Sequence, residues 1–120
     1  MTTRITIANH VFPLRLDDNP TARDFAEKLP LQLRVVRTFN NEYTCTLPTP
    51  LVDDNTGATS RLYQGSVYYF SLWNAFVVVL KNVNISPYSV VHIGDAEGDI
   101  KALFADERVM AISIDKEVDK

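Results

Sequence analysis

Residues 65–80 read G-S-V-Y-Y-F-S-L-W-N-A-F-V-V-V-L, two runs, Val67-Tyr68-Tyr69-Phe70 and Phe76-Val77-Val78-Val79-Leu80, around a break at Leu72-Trp73-Asn74-Ala75. Each run is too short for a helix and is rich in aromatic and β-branched residues, which pack well on a pleated surface, so the stretch predicts two core strands in succession. Strand following strand with no helix between argues against a doubly wound parallel sheet. Toward the N-terminus, Leu31 to Arg37 alternates apolar and polar, and Glu42 to Leu47 makes another strand beyond a turn at Asn40-Asn41. Further back, Arg4 to Ile7 and Val11 to Leu16 form an opening hairpin across Ala8-Asn9-His10. Toward the C-terminus, Ser89 to Ile93 is a strand ending at Gly94, and Val109 to Ile114 is the last one. The sum is about eight short strands, which predicts a mainly β fold, a small and mostly antiparallel barrel.

Two short helices complete the pattern. Asn19 suits an N-cap, Pro20 the first helical position, and Ala22, Phe25, Ala26 and Leu29 recur at helical spacing, predicting a helix over 20–29 that stops at Pro30. Ile100, Leu103 and Phe104 mark the second, over 97–104. Pro48-Thr49-Pro50 interrupts pairing, because proline donates no ladder hydrogen bond. The small polar run D-D-N-T-G-A-T-S at 53–60 predicts a mobile surface loop.

Composition bounds the function. The chain has 120 residues, 46% hydrophobic and 22% charged, so a single globular domain over 1–120 with a real core is expected. Its 12 basic residues are scattered singly against 15 acidic ones, without the stripe that nucleic acid or an anionic membrane requires. One cysteine, Cys45, allows no internal disulfide and no paired-cysteine metal or redox motif. The opening M-T-T-R-I-T-I-A-N-H holds no long apolar run, so neither a signal peptide nor a membrane span is expected and the default location is the cytoplasm.

The candidate site residues are weighed against plainer roles. Tyr68, Tyr69, Phe70, Trp73 and Phe76 form the densest aromatic cluster, which suits either a ligand site or core packing. Alternation places Tyr69 on the face opposite Tyr68 and Phe70, so half of the cluster at most lines one surface. His92 lies on a strand and His10 in a hairpin turn, neither with a partner nearby in sequence, and two remote histidines with one cysteine match no zinc site. Gly94-Asp95-Ala96-Glu97-Gly98-Asp99 has the Gly-Asp-x-x-x-Asp spacing of the magnesium motif of haloacid-dehalogenase-type phosphatases, but the early Asp-x-Asp pair of those enzymes is missing. Asp17 and Asp18, adjacent and just before Pro20, are read as helix-capping residues. Cys45 has no basic neighbour to lower its pKa and reads as a buried, inert thiol. With only four glycines and no phosphate loop, nothing calls for a cofactor.

Three stretches carry a family resemblance: D-N-P-T-A-R-D-F-A-E-K-L-P-L (18–31), the strand pair at 65–80, and H-I-G-D-A-E-G-D-I-K-A-L (92–103). Together, and in this order, the chain from Arg4 to Ile114 resembles the small microbial cyclophilin-like domain family. It departs from that pattern at Gly65-Ser66-Val67, where the family commonly has Gly-Asp-Ile, and at Ser71-Leu72-Trp73-Asn74, which replaces a Pro-rich turn. The resemblance implies a closed eight-stranded barrel with a helix over each mouth. True cyclophilins are prolyl isomerases whose arginine, glutamine, histidine and aromatics line a groove on the outer barrel wall. Arg61-Leu62-Tyr63-Gln64-Gly65 is superficially similar to their glutamine-glycine strand, without its Phe-Met-x-Gln-Gly-Gly-Asp pattern. The leading expectation is therefore a non-catalytic module binding a small molecule or peptide in an aromatic-rimmed groove of Tyr69, Phe70, Trp73 and Phe76, with Arg61 and His92 as polar gripping groups. The alternatives are a minimal prolyl isomerase dependent on Arg61 and a structural or interaction protein, for instance a homodimer.

Overall fold

In the computed structural model, which describes residues 2–7, 10–38, 41–54, 57–100 and 110–116, the strands follow one another along the chain as the alternation predicts. The hairpin is β1 (Thr2–Ile7) and β2 (His10–Leu16), and the helix that follows is α1 (Pro20–Glu27). Next come β3 (Leu31–Thr38) and β4 (Glu42–Thr46), then a two-residue strand β5 (Arg61–Leu62). The core pair is β6 (Ser66–Phe70) and β7 (Ala75–Val79), joined by a 3-10 turn at Ser71–Trp73. A short β8 (Val83–Asn84), β9 (Val91–Ala96) and β10 (Met110–Lys116) complete the order.

Eight of these strands close into a barrel in the order β1-β10-β3-β4-β7-β6-β9-β2, every pair antiparallel. Closure removes every sheet edge from the barrel. β5 and β8 stand outside it as a two-stranded ribbon that the sequence reading did not foresee. No helix among the described residues is long and apolar enough to cross a membrane.

Period-two alternation sorts the side chains. Ile5, Ile7, Phe12, Leu14, Leu33, Val35, Tyr43, Val67, Tyr69, Phe76, Val78, Ile93, Ile112 and Ile114 point inward and form one buried core. α1 covers the barrel, setting Phe25 against Phe76 with ring planes 8° apart and centroids at 5.4 Å. It starts where predicted: Asn19 Oδ1 accepts the Ala22 N–H at 2.8 Å and Pro20 opens the first turn. The helix ends at Glu27, short of the predicted Leu29, as Lys28 caps it with its N–H on the Phe25 carbonyl. The loop after β4 begins firmly held, because Thr21 Oγ1 donates to the Val52 carbonyl and Asp24 accepts the Val52 N–H.

The C-terminal third differs from expectation. β9 does not stop at Gly94 but continues to Ala96, and Glu97 still donates its N–H to the Pro13 carbonyl. The helix expected over 97–104 is therefore absent at Glu97–Asp99, where Gly98 takes φ +119°; positions 101–104 lie outside the described residues. Gly94 serves the strand by its lack of a side chain: it pairs with Leu16, and a Cβ there would lie 2.4 Å from the Arg15 carbonyl oxygen. Since backbone cannot yield as a flexible side chain does, Gly94→Ala is expected to cost about 3 kcal/mol of stability, read from the midpoint of urea denaturation.

Candidate functional site

The outward-facing residues of β6 and β7 are not given to solvent. Tyr68, Val77 and Val79 are buried with Leu62 and Val90 in a second apolar cluster, over which β5, β8 and residues 83–90 fold as a flap. The flap is tied down by the Thr59–Val90 bridge, the Ile85 N–H on the Ser60 carbonyl, and Ser60 Oγ on the Tyr88 carbonyl at 2.6 Å. It does not cover the whole wall. Between the flap and the outer faces of β3, β4 and β7 a groove of about 730 Å³ remains open.

Strand register lays out the floor of this groove. One cross-strand row holds Thr38, Glu42 and Val79; the next holds Val36, Thr44 and Val77; a third holds Thr46, Ala75 and Phe70. The third row carries an aromatic lip. Phe70 stacks on Trp73 at 4.8 Å, and Tyr88 from the flap approaches both rings, at 5.9 and 6.2 Å. Trp73 remains 61% exposed in spite of the stacking, so its free face is open to a ligand. Its position is set from below. Asn74 takes the left-handed conformation (φ 49°, ψ 42°), accepts the Tyr69 hydroxyl at 2.9 Å and donates Nδ2 to the Leu47 carbonyl at 3.0 Å. A short polar side chain tolerates this backbone geometry better than a branched one.

Glu42 lies at the other end of the groove from the lip. Burial pushes its carboxyl up to about 7 from an ordinary 4.5, and no hydrogen bond or ion pair joins that carboxyl to another described residue. Beside it, Asn41 Oδ1 is out of reach of solvent and has no hydrogen-bond partner among the described residues. Arg34 also borders the groove, four residues before Thr38 on β3 and so roughly 13 Å away along the strand. Cys45 borders the same space half-buried; burial pushes its thiol up to about 11, which keeps it protonated and inert, as its surroundings in the sequence suggest.

A second hollow, of about 480 Å³, lies on the adjoining face among Arg61, Tyr63, Gln64, Ser66 and His92. Contrary to expectation, His92 has partners on both ring nitrogens: Nδ1 meets Asp17 Oδ2 in a short contact, and Nε2 meets Asp95 Oδ1 at 3.0 Å. Asp17 is not legible from the sequence because it is 75 positions away and meets β9 through barrel closure, and Asp95, three residues from His92, lies past the Gly94 at which the strand was expected to end. Asp17 is thus a partner of His92, and Asn19, not Asp17, caps the helix. Burial by itself would lower the imidazole pKa; the hydrogen bonds and charges of Asp17 and Asp95 outweigh it, and the net shift is upward. Ser66 Oγ donates to Asp95 at 2.5 Å and Arg15 lies 3.6 Å from its other oxygen, so the cluster links β2, β6 and β9.

The six residues singled out in the sequence fall in three places. Phe70 and Trp73 form the groove's lip; Arg61 and His92 share the second hollow; Tyr69 and Phe76 lie inside the barrel, 2% and 0% exposed. Alternation had already separated Tyr69 from Phe70, and the register shows Phe76 directly opposite Tyr69, on the same inner face. Glu42, Asn41 and Tyr88 were missed. Glu42 shares the outward parity of Thr44 and Thr46 and was readable on that ground, whereas nothing in S-P-Y-S marks Tyr88.

A closed antiparallel barrel with a flap-covered outer wall and a groove beside it defines the class of this chain. A family model described as "Cyclophilin-like family" matches residues 5–115, and the chain belongs to that family. Among solved structures, the solution structure of the hypothetical protein AF2241 from Archaeoglobus fulgidus matches with a TM-score of 0.74 at 18% identity, over 98% of this chain and 95% of that one. At that identity the likeness is one of fold. No curated protein matches.

The Glu42 environment sets a pH dependence. The unfolded chain ionises this carboxyl near 4.5 and the folded one near 7, so stability falls as pH rises between those values. Glu42→Gln is expected to leave the denaturation midpoint nearly unchanged at pH 4 and, with solvent screening the partly exposed carboxyl, to raise stability at pH 8 by about 1–2 kcal/mol, measured by urea titration at both pH values.

Proposed function

We propose that this cyclophilin-like domain is a cytoplasmic binding module that holds an apolar small molecule in the groove between the flap and β3-β4-β7. The observation that carries the reading is the lip of Phe70, Trp73 and Tyr88 at the end of an apolar groove of about 730 Å³, with Trp73 left 61% exposed. Ligand sites are typically apolar clefts of about this volume with few polar groups, and rings that keep an open face bind apolar bodies at low entropic cost. The lone Cys45, with no second cysteine to pair with, suits a reducing compartment. Nile red, a neutral apolar dye, is expected to gain emission and to quench Trp73, the chain's one tryptophan, with one-to-one stoichiometry. Ala75→Phe, which fills the floor beside Phe70, should weaken that binding at least about tenfold without unfolding the barrel. No change in Trp73 emission with saturating dye sinks the reading.

A second reading has its own observation: Arg61 and Gln64, a cationic and an amide donor of the kind prolyl isomerisation uses, line one hollow with the half-exposed ring of Tyr63, beside the carboxylate-held His92. A cationic donor on the prolyl nitrogen weakens amide resonance and lowers a barrier of about 18–20 kcal/mol, while donors on a flanking carbonyl hold the peptide in place. A minimal isomerase at this place accelerates cis/trans exchange in a short Xaa-Pro peptide, seen by NMR exchange spectroscopy, and loses the acceleration in Arg61→Ala. A flat exchange rate at high protein concentration removes it.

A further inference from the structure

The groove is apolar along most of its length and unsatisfied at one end. Glu42 brings a carboxyl into it with no donor among the described residues, and the buried Asn41 Oδ1 beside it is likewise without one. A half-buried carboxyl that lacks a donor costs free energy that a ligand supplying one recovers. We propose that the groove takes a small organic amine, whose ammonium seats against Glu42 while its apolar body runs over Val36 and Val77 to the aromatic lip. The proposal rests on the groove being a ligand site and adds the chemical class of the ligand.

The charge pattern selects this class over its neighbours. An ammonium forms charge-assisted hydrogen bonds to a carboxylate, so it meets the Glu42 carboxyl directly. A carboxylic acid ligand meets Glu42 as like charge, and a neutral alcohol offers it one uncharged donor. Arg34, the guanidinium that lines the groove among the described residues, stands roughly 13 Å along β3 from the Glu42 row and does not neutralise it. The cysteine in the groove is neutral, held protonated by burial, and contributes no competing anion. A volume of about 730 Å³ is that of a small-molecule pocket, and Glu42 stands four residues along β4 from the Thr46 row at the lip, roughly 13 Å, about the length of phenylhexylamine. The rings at the lip receive such a phenyl group by stacking.

Three probes of one shape test it: phenylhexylamine, phenylhexanol and phenylhexanoate, titrated at about pH 8 with Trp73 emission and calorimetry as readouts. The amine is expected to bind at least about tenfold tighter than the alcohol, the carboxylate weakest, and Glu42→Gln should reduce the amine-to-alcohol ratio to about two. Should that variant fail to fold by circular dichroism, the carboxyl carbon resonance of Glu42 in the wild-type protein decides: it shifts with the amine and not with the alcohol. Equal affinity for amine and alcohol, or a preference that survives Glu42→Gln, overturns the amine assignment while leaving the groove as a ligand site. Binding of a lysine-containing apolar peptide without binding of phenylhexylamine overturns it too, in favour of a protein ligand. Failure of all three probes together with Nile red instead removes the groove reading itself.

Discussion

β6 and β7 are apolar on both faces, and the architecture answers that constraint. Their inner faces bring Val67, Tyr69, Phe76 and Val78 to the barrel core, and their outer faces bring Tyr68, Val77 and Val79 to a second cluster that must also be kept from water. Burying one of these large side chains is worth about 1.5–3 kcal/mol, so leaving the outer row bare would remove a sizeable part of a small domain's stability. The flap of β5, β8 and residues 83–90 supplies the cover. The groove arises where that cover ends, and the aromatic lip marks its border.

Much of this was legible in the chain. Unbroken apolar runs, V-Y-Y-F and F-V-V-V-L, are what a strand buried on both sides looks like, and the alternating runs at 4–7, 11–16 and 31–37 are what a strand with one wet face looks like. The Asn19-Pro20 start of α1 was readable because capping is local. The later part failed where a local signal met a nonlocal one. Gly94 reads as a strand terminator, but β2 needs that position without a Cβ for close backbone approach, and pairing carried β9 to Ala96. The same physics hid the site. Trp73 and Phe70 announce themselves by type, whereas Tyr88 and the Asp17–His92 pair acquire meaning only when closure brings distant segments together.

The two hollows differ in kind. In the one beside Arg61, the polar groups satisfy each other: His92 is held by two carboxylates, and Asp95 is held by Ser66, His92 and Arg15 together. Such a network stiffens the wall and offers an incoming ligand little that is not already engaged. In the groove beside Glu42, Thr38 and Thr44 bond each other at 2.7 Å, the Glu42 carboxyl has no donor among the described residues, and the apolar surface is broad. Free energy available for recognition lies where interactions remain unmade, which is why the groove leads the functional reading.

The ribbon of β5 and β8 contributes no rung to the barrel ladder, which closes without it. Sequence change in the flap is therefore free of register constraints from the eight strands and is bound only to keep Tyr68, Val77 and Val79 covered. Many different segments meet so loose a requirement. A scaffold built this way can exchange the two segments of its flap together, one before β6 and one after β7, while the barrel keeps its own pairing, much as a handle is replaced on a tool whose blade is kept.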